Sequence, residues 1–150
     1  MAHVAAFLIL TVTSTIYALW RGGGPERVTA AIVVIGTIVA FLVEPLHLHP
    51  YGSVEIGVLL LDIGMMIAFQ AVALAADRFW PIWIAGLQQA AVLVHITRAL
   101  SPDVAPLAYA IALKAWSYII LVLIIIGTYR HRQRLLKSGS DRSWSPIRWQ

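Results

Sequence analysis

The chain contains no cysteine, which excludes disulfides, thiolate metal sites and cysteine nucleophiles. Charge is also scarce: Asp, Glu, Lys and Arg make up 12% of its 150 residues, about half the share found in an ordinary soluble domain. Long polar connections are missing. The longest interruptions between apolar runs, RGGGPER and HLHPYGS, are seven residues each, so successive helices are expected to lie antiparallel. No Walker loop, dinucleotide fingerprint, HExxH, GxSxG or EF-hand pattern occurs, and this turns the expectation away from an enzyme.

What remains is apolar. Hydrophobic residues account for 60% of the chain and the mean hydropathy is +0.81, a membrane composition. Five runs have the length that crosses a hydrocarbon core of about 30 Å, at 3–20, 28–46, 54–76, 81–100 and 106–129. The first is retained as a helix: it lacks the basic n-region of a secretory signal, and Arg21 follows its apolar stretch instead of preceding it. Small residues spaced four apart, in the pairs Gly36/Ala40, Gly64/Ala68, Gly86/Ala90 and Ala108/Ala112, suit close helix approach.

Six of the eleven Lys and Arg follow residue 129, so the tail is expected on the cytoplasmic side. Five crossings then place Arg21, Arg27 and Arg78 inside and the amino end outside, with only Arg98 against the rule. The predicted fold is an all-α polytopic membrane bundle of five transmembrane helices, with residues 1–129 forming the membrane domain and 130–150 a basic cytoplasmic tail.

Polar residues inside the spans stand out against this background. Lys114, in AIALKAWSY, would cost roughly 2.5–3.5 kcal/mol near the centre of a membrane helix unless it is paired or hydrated. Asp62 in the third span is predicted at a similar depth, about 12 Å from the outer surface, and the two are expected to pair. Gln88, Ala91, His95 and Arg98 form one stripe on the fourth span, and polar stripes normally face the bundle interior. Asp62, Lys114, His95, Arg98 and Gln88 are therefore candidates for binding a ligand or proton, or for a register-fixing bridge with no further role.

Histidines His47 and His49 stand two apart in EPLHLHP, with Glu44 nearby and His95 predicted on the same outer side. Imidazole and carboxylate ligands of this kind suit zinc or copper, and histidine pairs can ligate haem. The absence of any cofactor is the leading expectation. Histidines on the outer side could instead sense acidity.

The tail joins Arg130, Arg132, Arg134 and Lys137 to Trp144 and Trp149, a pattern that attracts anionic lipid at about 1 kcal/mol per basic residue near the surface. It reads as a surface anchor rather than a nucleic-acid site. The block ADRFWPIWIAGLQ, followed by HITRALSPDVAPLAYA and WSY, resembles uncharacterised small multipass inner-membrane proteins of bacteria. The resemblance spans residues 76–118 and implies a bacterial inner-membrane address, with no functional residue to carry over. The expected function is a non-enzymatic accessory or interaction subunit, partnered by the bilayer and by a second copy or another membrane protein. The alternative is an outer-side ligand, proton or metal site serving transport or sensing.

Overall fold

The computed structural model describes residues 2–43, 56–100 and 106–145. Within them the chain forms five helices and no strand: α1 (Ala2–Arg21), α2 (Gly24–Val43), α3 (Ile56–Ala75), α4 (Trp80–Leu100) and α5 (Pro106–Ser138). Each helix packs on its neighbours in sequence, α5 closes back on α1, and α2 also meets α5 across the ring. The core holds Ala18, Val33, Phe69, Ile84, Leu121 and Ile124, drawn from all five helices.

The exterior is apolar as well. Large side chains such as Ile9, Ile35, Leu60, Ile67, Leu74 and Leu93 point outward, far beyond the patch size a water-soluble monomer tolerates. Among the described residues α1, α2 and α3 are long and apolar enough to cross a membrane. The fourth helix is not among them. Gln88, Gln89, His95 and Arg98 lower its hydropathy, and two of these polar side chains, Gln88 and His95, are turned inward against α3.

Helix α2 begins four residues before its apolar run, and local chemistry explains why. Pro25 fits a first helical turn, and the Glu26 carboxylate reaches back to accept the Gly23 N–H at 3.1 Å, half of a capping box. Short connections follow α1 and α3, and they meet at one end of the bundle. The tail joins them there.

Helix α5 is longer than its apolar run. Its 33 residues rise about 50 Å, so the expected boundary at residue 129 falls inside continuous helix. Gly139, at φ 70°, ends it in the left-handed conformation glycine favours, with its N–H bonded to Leu135 O at 2.9 Å. The chain then turns back. Asp77 N donates to Ser143 O at 3.2 Å and Ser145 N to Ala75 O at 2.8 Å, framing an isolated antiparallel bridge between Ala76 and Trp144. The segment 139–145 is thus docked on the bundle, where composition alone suggested an anchor on lipid.

Aromatic residues at a helix start commonly mark a membrane interface, and Trp80 departs from its neighbours in this. Phe79 and Trp83 remain exposed, but Trp80 is buried and its indole lies over Gly127. Of the small-residue pairs, Gly36 is covered by Met65 of α3, whereas Gly64 and Gly86 face open space. Close approach within the chain is therefore seen at Gly36 and not at Gly64 or Gly86, and the Ala108/Ala112 pair lies outside the residues whose side chains are described.

The Trp144 indole rests where a side chain on residue 24 would begin. Gly24→Leu is therefore expected to expel Trp144 and release the tail, speeding tryptic cleavage at Arg142 about tenfold or more, with helix content by circular dichroism unchanged.

Candidate functional site

The α3–α4 pair carries the first polar constellation. Asp62 lies in the second turn of α3, near the end of the bundle opposite the tail. Gln88 Nε2 donates to Asp62 Oδ1 at 2.9 Å and to the Asp62 carbonyl at 3.2 Å, while His95 Nε2 meets Asp62 Oδ2 at 2.8 Å. Gln88 and His95 stand seven residues apart, two turns along one face of α4. Their side chains thus grip the two oxygens of one carboxylate from the same direction.

His95 is 1% exposed and the Asp62 side chain 20%. An imidazole N–H at this distance donates a hydrogen bond to the carboxylate, the reach that a proton transfer between the two groups requires. Arg98, one turn beyond His95, is also buried, completing the inward stripe expected on α4.

The expected pairing with Lys114 is the part that changes. Both oxygens of Asp62 are taken by α4, and Lys114 sits on α5 with its side chain exposed. In the ring, α3 lies between α2 and α4 while α5 lies between α4 and α1. The neighbour of Asp62 is thus α4 rather than α5. The proposed metal ligands Glu44, His47 and His49 lie outside the described residues, and among the described residues no three His, Asp or Glu side chains converge as a metal site.

A second constellation was not anticipated. Arg78, in the connection between α3 and α4, reaches Asp141 of the returning tail through Nη1 to Oδ1 at 2.8 Å and Nη2 to Oδ2 at 2.8 Å, a two-pronged arginine–carboxylate pair. Arg134 Nε lies 2.9 Å from the same Oδ1, and His131 Nδ1 lies 2.6 Å from Oδ2. On its other side Arg78 Nε faces Glu26 Oε1 at 3.7 Å. Glu26 is fully buried and also accepts from Trp80 Nε1 at 3.3 Å. The Ser143 hydroxyl accepts from Gly24 N at 3.4 Å.

Two carboxylates thus face two guanidiniums before His131 is counted, a balance that lets the group lie largely out of water. Burial alone would raise the Asp141 carboxyl; hydrogen bonds from His131, Arg134 and Arg78, with the charge of Arg78, outweigh it and hold the group below the ordinary carboxylate range. His131 Nδ1 also lies 3.2 Å from Arg78 Nη2. One nitrogen cannot both donate to Asp141 and accept from Arg78, and the shorter contact identifies it as a donor to the carboxylate.

The sequence did hold signals for this group. Glu26 beside Pro25 marked a helix start, and Asp141 is the only acid after residue 103. Counting basic residues for orientation hid the role of both.

No protein-family model, curated protein or solved structure matches the chain.

Removing one partner of a buried ion pair typically costs roughly 3–5 kcal/mol. Arg78→Met is expected to destabilise the bundle by that order in a denaturation series, and Asp141→Asn to strip protection from the Asp77 and Ser145 amides in hydrogen exchange. Because Asp141 titrates lower when folded, its contribution is complete above the unfolded carboxyl value of about 3.9 and lost as pH falls through the depressed one. Protection should hold from neutrality to about pH 4 and fall below it in the parent chain, with Asp141→Asn lacking it throughout.

Proposed function

We propose that the chain is a multi-pass protein of the bacterial inner membrane, crossing five times with its amino end outside and its carboxyl end in the cytoplasm. It serves there as a non-enzymatic accessory or interaction subunit. Support for the membrane setting comes from the outward apolar side chains of the helices. Support for the direction comes from the shared end where Arg21 at the close of α1, Arg27 in the first turn of α2 and Arg78 between α3 and α4 meet the basic tail, because short basic segments stay cytoplasmic. The bacterial inner-membrane address rests on the resemblance of residues 76–118 to small multipass proteins of that membrane.

The interaction role is carried by one observation. Gln89 Nε2 donates to Gln70 Oε1 at 2.9 Å on the exposed side of α3 and α4. An amide pair turned toward lipid leaves donors and an acceptor with nothing to bind, and polar groups of this kind commonly join membrane helices.

A second reading has its own support in the Asp62–His95–Gln88 constellation. Its place near the end opposite the tail makes it an outer-side proton or ligand site for transport or sensing. The bland alternative is a staple between α3 and α4.

Three experiments test these readings. Tags at the two chain ends should be reached from opposite sides of intact membranes; access from the same side would sink the five-span arrangement. The full chain, extracted in mild detergent, should elute above its monomer mass, and a lone monomer that brings down nothing contradicts the subunit role. For the second reading, Asp62→Asn, His95→Gln and the double variant should each stay within about 1 kcal/mol of the parent in stability yet abolish proton uptake into proteoliposomes. Destabilised single variants rescued by the double would make the cluster a staple.

A further inference from the structure

We infer that the face of α3 and α4 bearing Gln70 and Gln89 is the docking surface for a second copy of this chain. This rests on the membrane-embedded interaction reading and names the partner. Gln89 lies nine residues into α4 and Gln70 five from the end of α3, which sets both amides roughly 8–14 Å in from the tail end of their helices. At that depth the surrounding solvent would be hydrocarbon.

The hydrogen bond between the two amides uses one Gln89 N–H and the Gln70 carbonyl. Both Gln70 N–H groups, the second Gln89 N–H and the Gln89 carbonyl are left facing outward. Lipid tails offer none of these a partner.

Beside the amides runs a cleft of about 350 Å³ lined by Met66, Ile67, Gln70, Ala71, Leu74 and Gln89. Its rim is prominent: Leu74 is 76% exposed and Ile67 63%. Gly64 on α3 and Gly86 on α4 have nothing within 4 Å of the point where a Cβ would stand, so another backbone can approach there closely. By contrast Gly24, Gly36 and Gly127 are each covered by a side chain of this chain. Among the described glycines within helices, the two left open are Gly64 and Gly86, both on the amide-bearing pair.

A second copy fits this face better than an unlike helix. Primary amides are self-complementary, each supplying both donor and acceptor, and a two-fold axis through the cleft would set Gln70 of one copy against Gln89 of the other. The same face supplies a hole and the apolar side chains to fill it, the requirement of an isologous interface. It also lacks any formal charge: within α3 and α4 the ionisable groups are Asp62, His95 and Arg98, and Asp62 and His95 face one another between the helices.

The lack of native cysteine makes the test clean. Single variants Ile67→Cys and Leu93→Cys, on this face, and Ile16→Cys and Ile35→Cys, exposed on α1 and α2, are expressed and oxidised with copper phenanthroline in native membranes. The expected result is a disulfide-linked dimer for the first two and none for the others. Adding Gln70→Leu with Gln89→Leu to the Ile67→Cys chain should cut the dimer yield about tenfold while the chain remains in the membrane fraction at parental abundance. Equal dimer from all four positions overturns the inference, as does crosslinking of this face only to a different polypeptide. A membrane-embedded chain with no face-specific dimer defeats the inference alone, whereas recovery in the soluble fraction defeats the membrane reading with it.

Discussion

Arg78 is the residue on which one whole end of the molecule depends. Its guanidinium stands between Glu26 at the start of α2 and Asp141 of the tail, so three segments far apart in sequence meet on one side chain. A buried guanidinium is tolerable only when its charge is balanced and its donors are directed. The two-pronged bond to Asp141 does most of that, and Glu26, itself held by Gly23 and Trp80, supplies the second negative charge. Around this point Trp80 settles on Gly127, Trp144 on Gly24, and the tail backbone pairs with residues 75–77.

At the opposite end the stabilising logic is similar but smaller. Asp62 is gripped by two side chains one heptad apart on α4, which fixes how far α3 can slide against it. Between the two clusters the core is apolar and close, with Ala18, Ala30 and Ala85 among its buried residues. The polar clusters set register, and the alanines let the helices approach.

Much of the architecture was legible in the sequence because hydropathy and turn chemistry act locally. The starts of α1, α3, α4 and α5 fall within two residues of the apolar runs, and Gln88, Ala91, His95 and Arg98 do turn inward on α4. Partner choice was another matter. Helical periodicity says which residues share a face but not which helix that face meets, so sequence alone pairs Asp62 with Lys114, whereas the fold sets it against α4. The same limit hid the tail lock. A run rich in arginine reads as a lipid anchor, and nothing local reveals that Asp141 will find Arg78, 63 residues away. A glutamate in a first helical turn normally lies in water at the helix dipole; Glu26 is instead shut in by Trp80 and Arg78.

Chain order gives the return of the tail a further meaning. Asp141 leaves the ribosome after all five helices, so until then Arg78 has Glu26 alone as its counter-charge in this cluster. The tail end of the bundle is accordingly the last part to close, and a nascent chain halted short of the aspartate would carry an arginine already drawn in from water with half its neutralising charge still unmade.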